Sequence, residues 1–185
     1  SCPACCSTLF LPAVSAGAAK TIEKLAEQNL AAISRHKVDH IVTACASCNA
    51  GLGEIYTAMG DEFSDLSAST IDIFVFLANH LPEKLAALPK ADKPIKVTYH
   101  DPCHLRNRGI TKEPRQILKA LPQVEYVEMP DAATCCGLGG TYSVYHYETS
   151  KKIGARKAAN IAASGAEVVA TDCPGCIMQL QDNIN

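Results

Sequence analysis

The chain has 185 residues, a formal net charge of −2, 48% hydrophobic and 19% charged residues, and ten cysteines. Its length and aliphatic content can build a core without covalent staples, as one medium domain or two small related halves. Near-neutral charge argues against nucleic acid as the main partner, since phosphate binding needs a basic face, and no apolar run approaches the roughly 20 residues of a membrane span.

In chain order, Cys2 and the adjacent pair Cys5-Cys6 come first. Residues 21–36 carry apolar side chains at Ile22, Leu25, Ala26, Leu30 and Ile33, a helical period. Residues 41–44 read as a short strand that runs straight into Cys45-Ala46-Ser47-Cys48, followed by a helical segment around Leu52. Residues 70–80 predict an apolar helix with Thr70 as its N-cap, and the charged stretch 82–94, bearing Pro82, Pro89 and Pro94, reads as a linker. Residues 95–100 alternate as a strand and lead into Asp101-Pro102-Cys103-His104-Leu105. A short helix over 114–121 with Pro in its first turn, a strand over 124–129 and the loop Cys135-Cys136-Gly137-Leu138-Gly139-Gly140 follow. A second long helix over 148–164, closed by Gly165, precedes a strand over 169–172 that ends in Cys173-Pro174-Gly175-Cys176.

Cys45/Cys48 and Cys173/Cys176 are 128 residues apart, and Cys5-Cys6 and Cys135-Cys136 are 130 apart. Each adjacent pair precedes a long helix, and each C-x-x-C follows a strand, so the chain reads as a duplication: a first repeat over 1–88 and a second over 89–185. The second repeat has a leading strand, cysteine, helix and strand that the first lacks, which predicts that this chain is a fragment or has a truncated first repeat. Strand–helix alternation implies an α/β fold of two pseudo-repeated units, parallel strands flanked by helices. Ligands in such sheets lie beyond the C-terminal strand ends, the edge that Cys103, the Cys-Cys loops and both C-x-x-C motifs share.

Long aliphatic segments between the cysteines argue against a secreted disulfide framework. Thiolates are soft ligands for iron–sulfur clusters, zinc or copper(I). A lone C-x-x-C is a weak signal shared with zinc knuckles and thiol oxidoreductases. Zinc takes four ligands, so Cys103, Cys135, Cys136, Cys173 and Cys176 overfill it, which favours a centre with several irons. A helix opening at Cys176 offers free N–H groups and its positive dipole end to an anionic cluster. Gly137, Gly139 and Gly140 let the loop approach closely and donate N–H groups to sulfur. The glycine string is no dinucleotide fingerprint, because Tyr142 stands where a third glycine is needed.

The stretches Tyr99-His100-Asp101-Pro102-Cys103-His104-Leu105, Cys135-Cys136-Gly137-Leu138-Gly139-Gly140-Thr141 and Cys173-Pro174-Gly175-Cys176 resemble the CCG cysteine-rich domain. That domain occurs twice in heterodisulfide reductase B and D subunits and in iron–sulfur subunits of glycolate and lactate oxidation, and these stretches are most similar to the latter branch. The resemblance is close over 95–185 and looser over 1–88. It implies a noncubane [4Fe-4S] cluster on Cys103, Cys135, Cys136, Cys173 and Cys176. It also implies electron transfer in the oxidation of a 2-hydroxy acid, with a flavin-containing dehydrogenase subunit and a ferredoxin-like domain or subunit as partners. The expected location is cytoplasmic, at the inner face of the membrane through those partners. The first repeat departs from the pattern: Ser7 follows Cys5-Cys6 and the leading cysteine is missing. A second cluster, a zinc ion or no metal are all open for Cys5, Cys6, Cys45 and Cys48, with Cys2 as a further thiol. The alternatives are disulfide chemistry at the cluster, as the reductase branch implies, and a zinc-stabilised interaction module without redox activity.

Other candidates carry plainer readings. His100 and His104 flank Cys103 within reach of a cluster sulfur, His104 being the candidate cofactor contact; either can equally fix the loop. His36, His40, His80 and His146 read as surface or capping residues, and Asp101 and Asp172 as loop caps. Lys151, Lys152, Arg156 and Lys157 read as one solvated basic face. Tyr142, Tyr145 and Tyr147 read as packing residues.

Overall fold

The computed structural model describes residue 14 and residues 16–184; Cys2, Cys5 and Cys6 lie outside the described residues. The chain divides into two compact units, Ser1–Ile73 and Phe74–Asn185.

In the first unit, helix α1 (Ala19–Ile33) lays Ala26 with Ile22, Leu25, Leu30 and Ile33 against Leu52, Tyr56, Phe63 and Leu66. Buried Asn29 donates from Nδ2 to the Tyr56 hydroxyl at 2.7 Å, so a polar residue on the apolar face is satisfied. Strand β1 (Ile41–Thr43) pairs in parallel with β2 (Thr70–Asp72), Ile41 opposite Thr70. Helix α2 (Ala46–Ala50) passes into a π-helical turn over Gly51–Ile55. A 3₁₀ turn, Asp61–Phe63, and α3 (Ser64–Ser69) lead into β2. Thr70 does not cap a helix. It opens β2, and α4 (Ile73–His80) starts only afterwards. The reason is long-range: the β-branched Thr70 and Ile71 suit a strand and find their parallel partner in β1.

In the second unit, α5 (Pro82–Ala86) occupies the start of the expected linker. Strand β3 (Ile95–Tyr99) lies between β4 (Val124–Tyr126) and β5 (Val168–Ala170), both parallel to it. Helices α6 (Cys103–Asn107) and α7 (Lys112–Ala120) cross from β3 to β4. Helices α8 (Tyr142–Tyr145) and α9 (Tyr147–Ala163) lie between β4 and β5, and α10 (Pro174–Ile184) follows β5. Val97, Tyr99 and Leu118 form a core with Phe74, Leu121, Val124, Tyr126 and Ala170 packed on it.

Elements recur along the chain at the 128-residue spacing of the C-x-x-C motifs. Helices α1 and α9 start at Ala19 and Tyr147, and α2 and α10 at Ala46 and Pro174, each pair 128 residues apart. Leu52 and Leu180, the same distance apart, are both buried. Helix α10 opens at Pro174 rather than at Cys176, with Pro at the first helical position, where no N–H is needed. No helix among the described residues is long and apolar enough to cross a membrane.

Candidate metal centre

Because β3, β4 and β5 are parallel, the segments leaving them emerge at one end of the sheet. β3 delivers His100, Asp101, Pro102 and Cys103; β4 delivers the loop to Cys135 and Cys136; β5 delivers Cys173 and, on the first turn of α10, Cys176. Cys136, Cys173 and Cys176 are buried, and Cys103 and Cys135 are exposed. Cys136 Sγ and Cys176 Sγ lie 3.4 Å apart in a hydrogen bond, and Cys176 also bonds Cys173. The Nε2/Nδ1 and Sγ donors of buried His100, Cys136 and Cys176 offer three ligand atoms within 4.8 Å of one another. Cys103 interacts electrostatically with Cys173 and Cys136, and Cys135 with Cys136 and Cys103. Cys103, Cys135 and Cys173 thus lie in hydrogen-bond or electrostatic reach of the Cys136–Cys176 pair.

Hydrogen bonds with Cys135, then Cys176 and then His100 hold the Cys136 thiol far below its ordinary range. The bond with Cys136, then burial, drives Cys135 up, and the bonds with Cys136 and Cys173 drive Cys176 up. Burial raises Cys103, opposed by the His104 main-chain N–H. A site that crowds soft donors so closely fits a thiophilic metal centre. The ring on a sulfur is that of His100, whereas His104 contributes its backbone.

The Gly137 N–H donates to Cys135 Sγ at 3.3 Å, and the Leu138 N–H interacts with Cys136. Gly137 has φ +101°, and a Cβ there would lie 2.7 Å from the Ser150 carbonyl oxygen; only glycine fits. Its own carbonyl accepts from Ser150 Oγ at 2.9 Å, and Gln179 Nε2 donates to the same hydroxyl at 3.1 Å. The loop is thus clamped from α9 and α10. Gly139 and Gly140 instead turn the chain into α8: the Gly139 carbonyl accepts the Tyr142 N–H at 3.0 Å, and the Gly140 carbonyl accepts from Ser143 Oγ at 3.3 Å.

Three successive carbonyls before the cysteine pair are also held. Asp131 O accepts from Lys157 Nζ at 2.6 Å, Ala132 O accepts from Lys157 Nζ and from the Asp101 N–H, each at 3.2 Å, and Ala133 O accepts from Arg106. Lys157 is 1% exposed. It departs from the expected solvated face, although Lys151, Lys152 and Arg156 remain exposed. Its spacing from Ser150, Gly154 and Ile161, the buried residues of α9, is the signal that could have located it. Asp101 is more than a loop cap. Arg115 grips it in a bidentate pair at 2.7 and 2.8 Å and also bonds Glu128 twice at 2.8 Å. That Arg115 bond, foremost, holds Glu128 below the usual carboxylate range. Tyr145 and Tyr147 are 78% and 49% exposed rather than packed, while His36, His40, His80 and His146 are exposed as expected.

In the first unit, Cys45 and Cys48 flank the start of α2, both half-buried. A hydrogen bond with Cys48, then burial, raises the Cys45 thiol, opposed by the Cys48 and Ser47 N–H groups.

The CCG cysteine-rich domain model matches residues 2–53 and 97–181. One component of the fumarate reductase (CoM/CoB) of Methanothermobacter marburgensis is 34% identical over 181 residues, covering 97% of this chain and 34% of that protein. "Probable glycolate oxidase iron-sulfur subunit" of Bacillus subtilis is 35% identical over 188 residues, covering 96% of this chain and 40% of that protein. Lactate utilization protein A of Halalkalibacterium halodurans is 30% identical over 188 residues, covering 97% of this chain and 73% of that protein. The chain thus spans 34% to 40% of the length of the first two relatives.

Proposed function

The chain belongs to the CCG cysteine-rich domain family, and on that footing we propose that it is the electron-carrying iron–sulfur part of a complex that oxidises a 2-hydroxy acid of the lactate or glycolate type. The relatives' names support the substrate class. One observation supports the reading: the ligand atoms of buried His100, Cys136 and Cys176 lie within 4.8 Å of one another, with Cys103, Cys135 and Cys173 in hydrogen-bond or electrostatic reach of them. Five thiols are one more than zinc takes, which suits a polynuclear centre. Cys103, Cys135, Cys136, Cys173 and Cys176 hold a [4Fe-4S] cluster of the noncubane kind, which when bound supplies one-electron chemistry. The Gly137, Leu138 and His104 N–H groups and the His100 ring point at the sulfurs and offset their negative charge. Gly139 and Gly140 shape the loop.

Cys5, Cys6, Cys45 and Cys48 form a less complete site for a second cluster or a zinc ion. The partners are a flavin-containing dehydrogenase subunit, which takes the hydride, and a ferredoxin-like domain or subunit. The complex works in the cytoplasm, at the inner membrane face. Anaerobic purification with iron and sulfide analysis, visible absorption and electron paramagnetic resonance tests the reading. Iron and sulfide with a redox-dependent spectrum are expected. Zinc without iron would establish a structural module instead.

The exposure of Cys103 and Cys135 favours one second reading, disulfide reduction at the centre. Two electrons and two protons delivered to a substrate disulfide release two thiols. Thiol release from an added disulfide by the prereduced protein would establish this activity, and relay without thiol release would exclude it.

A further inference from the structure

A lysine ammonium is almost never fully buried unless something compensates it. Lys157 is 1% exposed, and among the described residues its hydrogen bonds go to the main-chain carbonyls of Asp131 and Ala132. No ion pair among the described residues includes it. The negative groups within its electrostatic reach are Asp101, Asp131 and Cys136. Asp101 is already gripped by Arg115, and Asp131 bends with φ +51°. Its helix presents Arg156 as the nearby like charge. A costly cation has therefore been placed against the loop that leads into the Cys135-Cys136 pair, two of whose carbonyls it holds.

We propose that Lys157 is the fixed counter-charge of the centre, a positioning residue that holds the cysteine loop by its carbonyls and raises the centre's reduction potential by stabilising the more negative, reduced state. This rests on the iron–sulfur reading above. Two carbonyls alone would be served by any neutral donor; a full positive charge answers the anionic side of this loop, and Asp101 is already gripped by Arg115. Burial lowers the pKa of Lys157, and the negative charge of Asp101, Asp131 and Cys136 works against that.

The test compares wild type, Lys157→Gln and Lys157→Arg, each purified anaerobically as the full chain. Iron content and midpoint potential are read by titration under electron paramagnetic resonance. Lys157→Gln keeps an N–H donor for the carbonyls but loses the charge. It is expected to hold iron with a potential lowered by at least a tenfold change in the one-electron equilibrium, about 59 mV. Lys157→Arg is expected to stay close to wild type. Lys157→Gln with full iron and an unmoved potential would overturn the counter-charge role. Should the glutamine variant not fold, the arginine variant decides: one that holds iron yet shifts as far as the loss of charge should shift it also overturns the proposal. Wild-type protein with zinc and no iron would bring down the iron–sulfur reading and this inference with it, an outcome distinct from an iron-loaded protein whose potential ignores residue 157.

Discussion

Replacing Gly137 by Ala tests the loop architecture independently of any metal. Its φ of +101° lies where a side chain is strained, worth about 1–3 kcal/mol. The new methyl would also lie 2.7 Å from the Ser150 carbonyl oxygen and 3.2 Å from both Gln179 Nε2 and Ile153 Cβ. Ser150 belongs to α9 and cannot yield without moving the helix, so overpacking adds about 1–3 kcal/mol more. The variant should lose about 4 kcal/mol. With a urea slope of about 2 kcal/mol per molar, the unfolding midpoint of metal-free protein, followed by circular dichroism, should fall by about 2 M. Gly140→Ala is the control. Its φ is +60° with nothing within 4 Å of a Cβ, so it should cost only the left-handed penalty of about 1–2 kcal/mol. Equal losses in the two variants would refute the argument that close approach, rather than backbone sign alone, demands glycine at 137.

Cys173→Ser with Cys176→Ser should abolish the iron signal, whereas Cys45→Ser with Cys48→Ser should leave most of it; iron analysis of the two double variants decides, and the reverse pattern would mean that the first motif is the principal one. His100→Ala, which removes a ring bonded to Cys136, should keep iron and lower the midpoint potential, because a hydrogen bond to sulfur favours the reduced state; His104→Ala, which keeps its main-chain N–H, should shift it less. Glu128 is held low by Arg115, so its contribution to stability is complete above the unfolded carboxyl range and is lost as pH falls through its lower folded value. With Glu128 about half exposed, that contribution is under about 1 kcal/mol, and thermal melts from neutral to acidic pH should show Glu128→Gln losing less stability than wild type on acidification.

The C-x-x-C motifs, the long helices and the strands before the cysteines were legible because each is local: periodicity or alternation ending in a ligand-type residue. Thr70, Ile71 and Asp72 were not, since three residues joined to an apolar helix carry no period of their own. Their strand exists only through pairing with Ile41–Thr43. The grip of Arg115 on Asp101 joins residues 14 apart across a turn, which no spacing rule announces. Lys157 was hidden by its neighbours. In a run of four basic residues, charge outweighs the quieter fact that this one shares a face with Ser150, Gly154 and Ile161. In sequence the ring of His100 is a neighbour of Cys103, yet the end of β3 turns it onto Cys136, a residue of another segment.

Because β3 takes a parallel neighbour on each side, both from later in the chain, the thiols from Cys103 to Cys176 become neighbours only after the slowest kind of pairing is complete. On the iron–sulfur reading, metal capture would be a late step of biosynthesis. A group that ties the first segment to the second, and the second to the third, closes two loops of roughly 30–40 residues, each restricting the unfolded chain by about 3–4 kcal/mol as a covalent cross-link does. On the iron–sulfur reading, copies made without metal would lack both fastenings, open at the sheet end more often, and be the first that proteases remove.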